Sequence, residues 1–191
     1  MTVRRKLFPA LAALAVSCAF AGAEARASGI DVAKSEIAFT MKQMGARFDG
    51  RFRQWKADVD FDPKSLATSK AVIDVDLGSV DLASDESDTA AKGSLWFDTA
   101  RFPVAHFAST AIRDLGANRY EVTGRLTLKG IAHDCTVPLA VATDATGTRV
   151  AAGTFSLRRL DYRIGEGEWA DTSVVDNDIL VRVRMVLAPP T

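Results

Sequence analysis

Apolar side chains recur at every second position through most of this chain. Ile37, Phe39 and Met41 alternate with Ala38, Thr40 and Lys42, and Trp55, Ala57, Val59 and Phe61 alternate with Lys56, Asp58 and Asp60. Ala71, Ile73, Val75 and Leu77 alternate with Val72, Asp74 and Asp76. The same period returns in Tyr120, Val122, Leu126 and Leu128, in Cys135, Val137, Leu139 and Val141, around Phe155 and Leu157, and in Ile179, Val181, Val183 and Met185. Val104 to Ile112 is strand-like with less regular alternation. Successive side chains of a strand point to opposite faces, so a period of two predicts strands with one apolar and one polar face. About eight such segments are present. Turn chemistry separates them: Asp49-Gly50 (a tight turn or a bulge), Pro63, Gly116-Ala117-Asn118, Lys129-Gly130, Asp144 to Gly147 and Asp176-Asn177-Asp178. Short strands joined by short turns predict an antiparallel meander, without crossover helices. An eight-stranded antiparallel barrel removes exposed edges. A two-sheet sandwich is the competing architecture, and periodicity alone does not separate them.

One segment departs from the alternation. Ser84 is placed to cap a helix, Asp85 and Glu86 fall in its first turn, Lys92 near its end and Gly93 just past it. A second short turn follows in Gly93 to Asp98, before Pro103. The helical insertion is expected either as a lid over the barrel or as filling at its end.

The N-terminus reads as an export signal. Arg4, Arg5 and Lys6 precede an uncharged apolar run from Leu7 to Ala23, and Ala23-Glu24-Ala25-Arg26-Ala27 offers two overlapping A-x-A cleavage sites. The run is short for a membrane span, which needs roughly 20 residues. Cleavage after Ala27 is expected, which leaves 28–191 as one domain and sends it to the periplasm. A lipid anchor at Cys18 is the alternative, although the leucine usual three residues earlier is missing. The whole chain carries 24 basic and 24 acidic side chains; segment 1–27 holds four basic and one acidic, so the remainder is 20 against 23. That balance argues against nucleic acid as a partner, because phosphate binding requires a basic footprint. Cys135 alone survives cleavage, so packing and not an internal disulfide must hold the fold.

Catalytic motifs are scarce. H-E-x-x-H, C-x-x-C, the P-loop and the G-x-S-x-G elbow are missing. Gly165-Glu166-Gly167-Glu168-Trp169-Ala170 matches a dinucleotide fingerprint formally, but a β-prone Ser173-Val174-Val175 follows where a helix is required. His106 alternates against Phe107 and His133 sits beside the Gly130 turn, so both are expected at the surface, with no metal site. Cys135 is expected as a small core residue. Asp85, Glu86 and Asp88 read as a solvated helix start, and Glu166 with Glu168 as a loop pair. No catalytic residue is assigned. What remains is apolar: Phe39, Met41, Phe61, Ile73, Phe107, Leu126 and Phe155 on the inward faces, with Trp55, Trp96 and Trp169 nearby. These suit a filled core or a lined cavity, and composition does not choose.

Three stretches resemble a known family. Phe97-Asp98-Thr99-Ala100-Arg101-Phe102-Pro103-Val104-Ala105-His106-Phe107-Ala108-Ser109 is similar to the F-D-x-x-x-[YF]-P-x-x-x-F-x-S signature of the YceI-like polyisoprenoid-binding family. Val122-Thr123-Gly124-Arg125-Leu126-Thr127-Leu128-Lys129-Gly130-Ile131 resembles its V-x-G-x-L-T-[IL]-x-G-[VI], and Arg159-Leu160-Asp161-Tyr162-Arg163-Ile164-Gly165 its R-x-D-[FY]-x-[IL]-G. Ser35-x-Ile37-x-Phe39 and Gly50-x-Phe52 also fit, so the resemblance spans most of 28–188. It implies a lipocalin-like barrel whose long cavity holds an isoprenoid chain, export to the periplasm and, in some members, company with b-type cytochromes of the membrane. Members are not established enzymes. On this basis the chain is expected to bind an isoprenoid quinone or other prenyl lipid non-covalently, for transport, storage or stress protection, and to need no other cofactor. A homodimer is compatible with this. The ten apolar residues above would line the cavity, and Arg159, Glu166 and Glu168 would stand at its mouth. The connection from Leu139 to Val150 is shorter than in many members; the extended 165–169 loop would compensate at the mouth. The alternatives are a hydrolase-like enzyme on a small hydrophobic amide or ester, and a filled barrel that binds a protein partner.

Overall fold

The computed structural model describes residues 29–187. The expected signal, its cleavage site, Cys18 and the boundary between 27 and 28 lie outside the described residues.

Ten strands form one antiparallel sheet: β1 (Glu36–Gln43), β2 (Ala46–Phe52), β3 (Trp55–Asp60), β4 (Lys70–Asp76), β5 (Val80–Asp81), β6 (Val104–Gly116), β7 (Arg119–Leu128), β8 (Ile131–Thr143), β9 (Arg149–Arg158) and β10 (Asp178–Leu187). Their order is β3-β4-β6-β7-β8-β9-β10-β1-β2-β5, and the sheet is strongly curled into a half-barrel. The antiparallel, nearly all-β expectation with one helical insertion therefore holds, and the two-sheet sandwich does not. The count and the closure expected from the alternation are corrected. Among the described residues there are ten strands and not eight, and no ladder joins β3 to β5.

The two extra strands have local causes. Asp49-Gly50, expected as a turn or a bulge, lies inside β2, where Gly50 pairs in register with Phe39. The turn falls at Met44-Gly45 instead, where both residues have positive φ (50° and 79°), as a two-residue hairpin requires. The chain then bends at Arg53 and Gln54 and continues as β3 at the opposite end of the pairing order. The Arg53 N–H donates to the Ser79 carbonyl at 3.1 Å and the Asp76 N–H to the Gln54 carbonyl at 3.0 Å. A turn at Leu77–Ser79 similarly breaks β4 from β5. Backbone hydrogen bonds bridge each break, the Leu77 N–H donating to the Pro103 carbonyl at the second.

The helix α1 (Asp85–Lys92) follows the capping signal closely. The Ser87 N–H donates to Ser84 Oγ, three acidic residues occupy the first turn, and Gly93 ends it. Its buried Ala91 packs against Phe39 and Val80, which lays α1 across one end of the curled sheet.

Candidate functional site

The alternating apolar positions converge on the concave side of the sheet and enclose a cavity of about 490 Å³. This lies within the range of small-molecule pockets and is roughly sixteen times the share of liquid volume that a water occupies. β1 contributes Phe39 and Met41, β4 Ile73, β6 Phe107, β7 Leu126 and β9 Phe155; Phe61 follows β3. Trp96 and Trp169 wall off one end, with ring centroids 5.7 Å apart. Nine of the ten residues expected on the wall are thus brought together. Trp55 is the exception. It sits just after the Arg53–Gln54 bend, and its indole is consumed in packing with Ile37, Ala151 and Met185. The alternation also hid Phe52 and Phe97, which line the cavity as a tilted aromatic run from Phe39 (centroids 5.5 and 5.9 Å apart). Phe52 lies on the strand that the sequence reading missed.

Two glycines keep large rings against the wall. A Cβ on Gly50 would lie 2.5 Å from Phe39 Cζ, and one on Gly124 2.4 Å from Phe107 Cζ. Any side chain there displaces the ring toward the lumen or strains the sheet. The width of the cavity therefore depends on residues that contribute no lining atoms.

The end wall around Trp96 and Trp169 is held by two buried cations. Arg159, expected at the mouth, has no exposed surface. Its Nε donates to the Asp176 carbonyl (3.0 Å), Nη1 to the Ile164 and Gly165 carbonyls (both 2.9 Å), and Nη2 to those of Trp169 and Val175 (both 2.7 Å). A guanidinium has five N–H groups, and all five are engaged. Burial pulls its pKa below the ordinary value, but an arginine remains charged at any physiological pH. Lys129 is also buried; its Nζ donates to the Ser94 carbonyl (2.9 Å), the Arg163 carbonyl (2.7 Å) and Glu166 Oε2 (3.3 Å). The Leu95 carbonyl accepts from the N–H groups of Gly165 and Glu166, which ties the two capping loops together. Glu166 is thus occupied by Lys129 and does not line the cavity, and Glu168 is exposed on the turn Gly167–Ala170. The mouth expected at Arg159, Glu166 and Glu168 is corrected: the first is an internal tie for the cap, the second pairs with the other tie, and the third faces solvent.

Of the three, Arg159 does border the cavity, but its donors are spent on the cap, and the other polar groups of the wall lie elsewhere. Gln43, Glu86 and Ser87 line it, and Glu86 and Ala90 do so while exposed, so the cavity opens beside α1. No periodicity marks these positions; only the capping signal of α1 hinted at them. Cys135 lines the wall, and burial, with the neighbouring Asp134 carboxylate, pushes its thiol up to about 11. Tyr162 is pushed up to about 12, chiefly by burial. His106 lies outside with Nδ1 2.6 Å from Asp74 Oδ1, and His133 Nε2 is 3.1 Å from the Asp161 carbonyl oxygen. Neither histidine lines the cavity. Among the described residues no group of three or more His, Cys, Asp or Glu is placed to hold a metal ion, and no helix is long and apolar enough to cross a membrane.

The family model for the YceI-like domain matches residues 29–187, the whole of this half-barrel. The chain belongs to the YceI-like family. A UPF0312 protein of Vibrio campbellii is 33% identical over 138 residues, which covers 71% of this chain and 72% of that one. Among solved structures, BcnA of Burkholderia cenocepacia is 37% identical, with a TM-score of 0.79 over 82% of this chain and 98% of its own. A polyisoprenoid-binding domain from Saccharophagus degradans shares the fold at 18% identity, with a TM-score of 0.70 over 86% of this chain and 99% of its own. The YceI-like signatures have visible roles here. Gly124 seats Phe107, Lys129 and Arg159 tie the cap, and Phe97 and Phe107 line the cavity.

Proposed function

We propose that this YceI-like protein holds a long-chain isoprenoid lipid, such as an isoprenoid quinone, in its cavity outside the cytoplasm, for transport, storage or protection. The observation that carries the reading is the cavity itself: an apolar space of about 490 Å³ walled by the inward faces of a curled sheet. A preformed apolar cavity gains roughly 25 cal/mol for each Å² of apolar ligand surface removed from water, with little need for polar recognition. The fold shared with the Saccharophagus domain supports the isoprenoid class. The basic, apolar and small-residue sequence of segment 1–27 supports a periplasmic site, free of the membrane unless Cys18 carries a lipid.

The hydrolase reading has weaker support. The one thiol on the wall is held protonated, and neither histidine lines the cavity to activate it. Simultaneous replacement of His106 and His133, neither of which lines the cavity, is expected to leave lipid binding intact. A filled, partner-binding barrel is disfavoured by a void of this size. Mild purification from the native host followed by native mass spectrometry is expected to reveal a bound prenyl lipid. Protein that is always empty, and takes up no added prenyl lipid, overturns the proposal.

A further inference from the structure

Charge is distributed unevenly on the cavity wall. Among the described residues, Arg159 is its only cationic residue and Glu86 its only carboxylate. All five guanidinium N–H groups of Arg159 already bond to main-chain carbonyls, so it has no donor left for a ligand anion. Lys129, close behind the same cap, is committed to two carbonyls and to Glu166. The positive end of the α1 dipole also faces carboxylates, those of Asp85, Glu86 and Asp88, and Asp88 Oδ1 accepts from the Leu82 N–H. At the opening, the side chains of Glu86 and Ser87 on α1 have no hydrogen-bond partner among the described residues, although both line the cavity. Together they offer one carboxylate acceptor and one hydroxyl.

We infer that the opening beside α1 recognises a ligand head that is uncharged and donates a hydrogen bond, as the hydroxyl of a prenol or of a reduced quinone does, and discriminates against a phosphorylated head. The hydroxyl donates to Glu86 and its oxygen accepts from the hydroxyl of Ser87. A phosphate at the same place meets a like charge and, on the cavity wall, no cation with a free donor. The inference rests on the lipid-binding proposal for its ligand, but it concerns the head and not the tail.

The test compares two alcohol–phosphate pairs, geranylgeraniol with geranylgeranyl phosphate and hexadecanol with hexadecyl phosphate. Binding is read from the fluorescence of the wall residues Trp96 and Trp169 at low ionic strength. The alcohol is expected to bind roughly tenfold more tightly than the phosphate of the same tail, the scale of one repulsion between partly solvated charges. Glu86→Gln is expected to narrow the gap and Glu86→Lys to reverse it. Glu86 is exposed on α1, so neither variant disturbs the core. Phosphate binding equal to or tighter than alcohol binding, or a gap unmoved in Glu86→Lys, overturns the inference. If only the hexadecyl pair binds and its alcohol is preferred, the isoprenoid proposal fails while the head preference stands. If no lipid of either pair binds, both fail.

Discussion

The most demanding prediction concerns Arg159, a charged residue with no exposed surface and no carboxylate partner. Its guanidinium gathers the carbonyls of Ile164, Gly165, Trp169, Val175 and Asp176, and thereby folds 164–176 into the wall that carries Trp169. Arg159→Met keeps the length and apolar stem but leaves those carbonyls without a donor. Hydrogen bonds to a charged group contribute about 1.5–3 kcal/mol each, but they are not additive, and the charge removed had itself been desolvated. A net loss of about 3–5 kcal/mol follows, by analogy with removing one partner from a buried charged network. For a domain of this size that lowers Tm by about 6–20 °C. Arg159→Lys has three donors in place of five and should fall between the parent and Arg159→Met. Differential scanning calorimetry measures the change. Hydrogen exchange then localises it, because the amides of Gly165 and Glu166, bonded to the Leu95 carbonyl, should exchange faster in the variant. An Arg159→Met protein that melts within about 2 °C of the parent refutes this account of the cap.

Three further outcomes are expected. Gly124→Ala places a Cβ against Phe107 and the Ala108 carbonyl, so it should cost about 1–3 kcal/mol as an overpacking change and reduce lipid uptake; pairing it with Phe107→Ala should restore uptake in a binding titration. The Asp81 carboxyl is held well below the usual carboxylate range by hydrogen bonds from Arg53, then Arg51, then the Ala83 N–H. Its stabilising effect is therefore complete above the unfolded value of about 3.9 and is lost as pH falls toward the folded value. Melting curves of parent and Asp81→Asn should differ by a constant amount at neutral pH, and the gap should shrink steadily as pH falls below about 4 toward the folded value; a gap that does not shrink contradicts this. In a Cys18→Ser background, Cys135 at about 11 should alkylate at pH 8 about two orders of magnitude more slowly than in the unfolded chain, whose thiol titrates near 8.5. A bound lipid should slow it further, and equal rates in folded and unfolded protein would contradict its placement on the wall.

Much of this protein is legible along the chain because its information is local. A period of two declares which side chains share a face, so Phe39, Met41, Ile73, Phe107, Leu126 and Phe155 could be assigned to one wall before any strand was paired. Ser84, the acidic first turn and Gly93 delimit α1 for the same reason: caps act within one turn of helix. Where local signals mislead, a distant partner decides. Asp49-Gly50 has the chemistry of a turn, yet it is a strand because Gly50 must lie flat beneath Phe39, and the turn moves to Met44-Gly45. Arg159 and Glu166 look like solvated rim charges in a polar loop. Only the folded loop shows that the first satisfies five carbonyls and the second pairs with Lys129. Alternation specifies an apolar face but not what that face meets. Whether ten strands leave a filled core or a space of about 490 Å³ depends on their curl, on glycines that hold Phe39 and Phe107 to the wall, and on a cap tied by Arg159 and Lys129. Those are contacts between residues far apart in sequence, and no pattern along the chain encodes them.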